Sequence, residues 1–290
     1  MEIVCVLQNP DTLGESPLWD HRERRLLWID SLGRRIHALD PATGHRRAWE
    51  MPDRIGSIAL RRKGGLVAGL RSGFHFVDLD KGVVTPIGDP EPDLPDTRLN
   101  DGKCDRQGRF WCGSMNEGFA AANASLYRLD PDLAWHRMDT GFTVSNGIAW
   151  SPDGATMYFS DSRVEAYYAY DVDTATGAIS NRRRFVDPAG LEGRIDGATV
   201  DRDGNYWCAL FAGGAVACFD PAGRLLRRIG LPVRHPTMCS FGDPGLDTLY
   251  VTTATFALGA DEIGEEPLAG SLFAITGTGA TGLPEPAFLG

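Results

Sequence analysis

The chain has 290 residues, 42% hydrophobic and 23% charged, an ordinary globular composition whose length allows one large repeat domain or two smaller ones. A formal net charge of −10 argues against nucleic acid or another polyanion as partner. No stretch approaches the roughly 18 apolar residues that cross a bilayer, so no membrane partner is expected.

From the N-terminus, residues 1–7 (Met-Glu-Ile-Val-Cys-Val-Leu) lack the basic start and the apolar length of a signal peptide and read as a strand. A cytoplasmic protein is expected. The six cysteines form no CxxC pair and read as buried, reduced thiols. Cys112 and Cys208 occupy matching positions, in Arg109-Phe-Trp-Cys112 and Asn205-Tyr-Trp-Cys208, which points to packing.

A repeat runs along the chain. Asp105-Arg-Gln-Gly108 and Asp201-Arg-Asp-Gly204 lie 96 positions apart, with Ser151-Pro-Asp-Gly154 between them, 46 after the first. The period is about 48, in the range of propeller blades, and six such units fill the chain. Each unit has a short apolar strand, a D-x-x-G-type turn, and a strand rich in aromatic and β-branched residues. A third strand closes on Leu-Asp or Phe-Asp, and a more basic fourth follows. Alternating short strands with Gly, Asp and Pro turns predict an all-β, six-bladed propeller over residues 1–290. Blades start near residues 14, 54, 98, 143, 194 and 234, and the N-terminal strand, about 2–7, completes the last blade and closes the ring.

In such blades the innermost strand starts on the face that carries the second-to-third strand loops. Four inner strands open on an oxygen donor: Glu15, Asn100, Asn146 and Asp196. Blades two and six place Ile55 or Gly56, and Pro236, near the same slot. An all-oxygen set suits Ca²⁺, Mg²⁺ or Mn²⁺ better than thiol-bound zinc. Asn146-Gly147 and Asp196-Gly197 are also ordinary turn dipeptides. Glu15, followed by Ser-Pro, is a poor turn former in the same register and favours the shared-site reading. Arg98, Glu117 and His235 belong to the same mouth, Arg98 to grip a substrate oxygen and His235 as a supporting rim residue. The long 254–270 loop is acidic and reads as a candidate lid. Gly277-Thr-Gly-Ala-Thr-Gly282 matches GxGxxG without a following helix, and GxSxG and HExxH are absent.

The segments Leu13-Gly-Glu-Ser-Pro17, Arg98-Leu-Asn-Asp-Gly-Lys103, Gly113-Ser-Met-Asn-Glu117, Ser145-Asn-Gly-Ile-Ala-Trp150 and Ile195-Asp-Gly197 resemble the regucalcin and gluconolactonase family, in order and at family-like spacing. The resemblance implies a six-bladed propeller with one catalytic divalent metal, whether Ca, Zn, Mn, Mg or Fe(II), held by Glu15, Asn146 and Asp196. It implies Arg98, Asn100 and Glu117 as substrate-orienting residues, and Asp196 also as general base. The reaction implied is hydrolysis of a sugar lactone to the aldonic acid. Cys239-Ser240 departs from relatives that carry two cysteines there. Two alternatives keep the fold: a propeller esterase or organophosphate hydrolase, and a non-enzymatic calcium-binding or regulatory propeller. A monomer or weak homo-oligomer is expected.

Overall fold

The computed structural model describes residues 1–290 and contains six four-stranded antiparallel sheets with one short helix, Ala260–Glu265. Five sheets are consecutive meanders. The sixth recruits the N-terminal strand Glu2–Leu7, which pairs antiparallel with Leu272–Thr276. Inner strands begin at Gly14, Ile55, Thr97, Ser145, Arg194 and Pro236, each packed against the next around a closed ring. This is the expected propeller with the expected N-terminal closure. Exposed sheet edges are thereby reduced to the outermost strands. Those strands carry the basic residues: Ile179–Arg184 and Leu225–Gly230 are almost wholly exposed.

The repeated D-x-x-G-x-x-W sequence has a physical cause. Asp105 accepts the backbone N–H groups of Gln107 and Arg109, each at 3.0 Å, and the Trp111 indole N–H at 2.9 Å. Asp201 repeats the arrangement with Asp203, Asn205 and the Trp207 indole at 2.8 Å. One buried carboxylate thus ties the turn to the second strand, and Gly108 and Gly204 supply the left-handed step (φ 79° and 88°). Apolar side chains fill the spaces between blades, among them Cys112 and Cys208, both fully buried. All six cysteines are free thiols, and Cys5 differs from the expected burial in being half-exposed on the edge strand.

Residues 277–290 run across the face opposite the expected mouth. They hydrogen-bond to the first-to-second strand turns at Arg62, Gly108 and Arg202. Glu285 reaches into the channel, where Lys103 Nζ donates to its carboxylate at 3.0 Å and to Ala198 O at 2.9 Å. The GxGxxG match lies in this tail. The channel is therefore blocked at one end and open at the other. No helix is long and apolar enough to cross a membrane.

Candidate active site

Every inner strand is interrupted by a β-bulge at the predicted slot: at Glu15/Leu18, Ile55/Ser57, Leu99/Gly102, Asn146/Ala149, Ile195/Ala198 and Pro236/Met238. A bulge bends its strand and re-aims a side chain. Here it turns the slot residue toward the channel. Gly147 makes the left-handed step after Asn146 (φ 64°), where a Cβ would lie 2.5 Å from the Tyr206 hydroxyl. Ser16 makes the same step after Glu15 (φ 51°) and keeps its hydroxyl busy accepting the Ile58 N–H at 3.1 Å.

The six predicted residues Glu15, Arg98, Asn100, Glu117, Asn146 and Asp196 all line one cavity of about 460 Å³ at the open mouth. Asn100 Nδ2 donates to Asn146 Oδ1 at 2.9 Å and to Ser145 O at 3.0 Å, while Asn146 Nδ2 donates to Ser162 Oγ at 3.0 Å. Ser162 Oγ in turn donates to Ile195 O at 2.6 Å, joining blades three, four and five through one polar chain. Asp196 is buried and Glu15 half-buried, and neither forms an ion pair with a protein cation. Burial raises both carboxyls well above their usual range, and repulsion adds to it, from Asp196 and Asp101 on Glu15 and from Asp101 on Asp196.

A second tier lies two residues before the slot, about 6.5 Å nearer the mouth at strand spacing. It presents Leu13, Arg54, Arg98, Val144 and Arg194 to the cavity. Arg98 is only 4% exposed, and burial pulls its guanidinium down to about 10, so it stays cationic at neutral pH. Glu117 is the counter-charge for this wall. Its carboxylate accepts Arg54 and, at 3.1 Å, Arg71, and lies 3.8 Å from Arg98 Nε. Partial burial opposes its ionisation, but the hydrogen bonds from Arg71 and Arg54 prevail and hold its carboxyl below the usual range.

Four features were not anticipated. Asp101, one residue past the slot, is buried and its carboxyl is pushed up to about 6 by desolvation. Its Oδ2 accepts the Ile148 N–H freed by the next blade's bulge at 2.9 Å, and its Oδ1 has no partner. The signal was the alignment with Ser16, which serves blade two in the same way. Arg54 and Arg71 were invisible as partners of Glu117 because the three are distant in sequence. Arg194 was overlooked although it holds the position in blade five that Arg98 holds in blade three. His235 lies outside the cavity lining: it is buried and stacks on Phe211 at 4.5 Å, and burial lowers its basicity. The 254–270 loop contributes Phe256 and Ala257 to the rim, and it contains the short helix.

The SMP-30/Gluconolactonase/LRE-like region family model matches residues 13–255. The chain belongs to this family. It is 38% identical over 288 residues to a 6-deoxy-6-sulfogluconolactonase of Pseudomonas putida, covering 99% of this chain and 98% of that protein. It is 34% identical to regucalcin of Xenopus laevis over 100% of this chain and 99% of the relative. Among solved structures, a calcium-binding protein, regucalcin, from Agrobacterium tumefaciens superposes with a TM-score of 0.94 at 29% identity, covering 98% and 96% of the two chains. Family membership supports lactone hydrolysis as the activity.

Proposed function

We propose that the cavity is the active site of an aldonolactonase that uses one divalent cation bound by Glu15, Asn146 and Asp196. One observation carries this reading. A buried carboxylate, a half-buried one and a carboxamide line the same cavity, and no protein cation pairs with either acid. Burying two like charges without a counter-ion is costly, and a hard cation with oxygen ligands relieves that cost. The buried Asp101, whose Oδ1 has no partner, adds negative charge near enough to repel both acids. The donor set therefore fits the metal that the family resemblance implies.

When bound, the cation supplies Lewis-acid polarisation of the lactone carbonyl and a more acidic water. The protein's residues supply the rest. Asp196, ionised, takes a proton from the water attacking the carbonyl carbon. The ring C–O bond then breaks, Asp196 returns that proton to the ring oxygen, which leaves as a hydroxyl, and the acid product retains the water oxygen. Asp196, at the slot of the blade-five inner strand, serves as ligand and base in turn. Arg98 donates one N–H to Leu99 O and keeps others for substrate oxygens. Asn100 fixes the Asn146 carboxamide, and Glu117 fixes the arginine wall, so both orient the substrate. A cavity of about 460 Å³ falls in the range of small-molecule sites.

The test is hydrolysis of a panel of sugar lactones, followed by acid release with Mn²⁺, Ca²⁺, Mg²⁺ and Zn²⁺ each supplied to metal-stripped protein. Asp196→Ala and Asn146→Ala abolish turnover with unchanged circular dichroism. Metal-stripped protein that opens lactones at the full rate would end this reading. Tight calcium binding without turnover of any lactone would favour the non-enzymatic calcium-binding alternative.

A further inference from the structure

We infer that the lactone opened here carries an anionic group at the end remote from its carbonyl, and that Arg194 and Arg163 bind that group. The inference rests on the lactonase reading and adds the class of substrate. The cavity wall holds four arginines, Arg54, Arg98, Arg163 and Arg194, against three carboxylates, in a chain whose formal net charge is −10. The concentration of positive charge is thus local to the mouth, and a bound cation would add to it.

Two of the four arginines are accounted for, because Glu117 pairs with Arg54 and faces Arg98. Arg234, at the start of the blade-six inner strand, is similarly held by Glu262 and Glu266. Arg194 and Arg163 form no salt bridge and no side-chain hydrogen bond within the protein. Each instead lies over a phenyl ring of the cavity wall: Arg194 over Phe211 at 5.8 Å and Arg163 over Phe119 at 5.7 Å. An arginine lying over a ring is held in place while its edge N–H groups stay free, the geometry that suits a planar or tetrahedral oxyanion. Phe119 holds its position in left-handed backbone (φ 56°), a strained conformation for an aromatic residue.

The placement matches a substrate lying along the channel. Arg194 precedes Asp196 by two residues on one strand, so its side chain points to the same channel about 6.5 Å nearer the mouth. With the lactone carbonyl at the slot, an exocyclic arm directed toward the mouth brings its terminal group to that tier. Leu13 and Val144 occupy the equivalent tier of blades one and four and offer no polar group, so the binding of a distal charge is confined to the arginine side.

The experiment compares kcat/KM for gluconolactone and for the same lactone carrying sulfonate, phosphate or carboxylate at carbon six, in wild type, Arg194→Gln and Arg163→Gln. At least one charged lactone should be preferred over the neutral one by about ten-fold or more, and rising salt should erode the preference. Arg194→Gln should reduce that ratio by roughly ten- to hundred-fold, the range for losing a charged hydrogen bond. Arg194→Lys should restore only part of it. Calorimetry with the matching aldonic acids, with and without the terminal anion, reads the same arginines without turnover. The inference is overturned if neutral and charged lactones are opened equally well, or if the substitutions depress both alike. Failure to open any lactone would instead defeat the parent reading, while calorimetry still reports whether the arginines prefer the charged acids.

Discussion

If Glu15 and Asp196 exist to hold a cation, removing the cation leaves two desolvated acids repelling each other, and the protein's stability should register it. For 290 residues at about 2.1 cal/mol/K each, the unfolding entropy near the midpoint is about 0.6 kcal/mol/K. Metal at a hundred times its dissociation constant stabilises by about 2.7 kcal/mol and at a thousand times by about 4.1. The corresponding rise in Tm is therefore about 4 to 7 °C. The sign of the pH dependence follows from the direction of the carboxyl shifts. Both acids have folded-state pKa values raised by burial and repulsion, so the native metal-free protein holds protons that the unfolded chain has released. Their contribution is full below the ordinary carboxylate range and is lost as pH rises toward the raised values. Metal binding requires the ionised acids, so added metal should stabilise more at pH 8 than at pH 5. Glu15→Gln and Asp196→Asn should abolish the metal-induced rise in Tm without lowering the metal-free Tm. Differential scanning calorimetry with chelator and with each metal, at both pH values, measures all of this. An undiminished metal-induced rise in both variants would refute the assignment of these residues as the binding site.

Three further outcomes follow from local geometry. Gly147→Ala should cost about 1–2 kcal/mol from its left-handed backbone alone, and more from the Tyr206 contact; urea unfolding reads the loss, and kcat should fall because Asn146 moves. Glu117→Gln should raise KM for the lactone more than it lowers kcat, since it loosens Arg54 and Arg71 and leaves Arg98 without its facing carboxylate; steady-state kinetics check it. Lys103→Met should destabilise by about 3 kcal/mol by stranding Glu285 in the blocked end of the channel, and Lys103→Met with Glu285→Gln should recover much of that in a double-mutant cycle.

The propeller was legible because its turns are chemically constrained. A carboxylate that must accept two turn amides and an indole leaves an Asp, a Gly and a Trp at fixed offsets, and Asp105 and Asp201 preserve all three. The slot was legible because bulges recur at one register, so Glu15, Asn146 and Asp196 could be aligned without knowing their neighbours. Charge pairing was not. Glu117 lies 63 residues from Arg54 and 46 from Arg71, and nothing in either local sequence marks the other as its partner. Asp101 was hidden for a different reason. It sits beside a predicted slot residue in an Asn-Asp-Gly run, where a turn accounts for an acid equally well, and only the ring arrangement shows it supplying an acceptor to the neighbouring blade.

The bulges also explain how one repeat supports unequal chemistry around the ring. In blades two and four the bulge frees a backbone N–H that must find an acceptor, and the preceding blade provides one from the residue just past its own slot: Ser16 for Ile58 and Asp101 for Ile148. At these two junctions structural satisfaction is assigned to the residue after the slot, leaving the side chains of Glu15 and Asn100 free of that duty. In blade two the slot is Gly56, where a Cβ would lie 2.5 Å from the backbone oxygens of Leu99 and Asn100. Close approach there presses blade three's inner strand against blade two, and a side chain at Gly56 would push Asn100 away from Asn146. Blade two therefore contributes to the polar arc by having no side chain at this position, and substitution of Gly56 should disturb the Asn100–Asn146 contact without touching a candidate ligand directly.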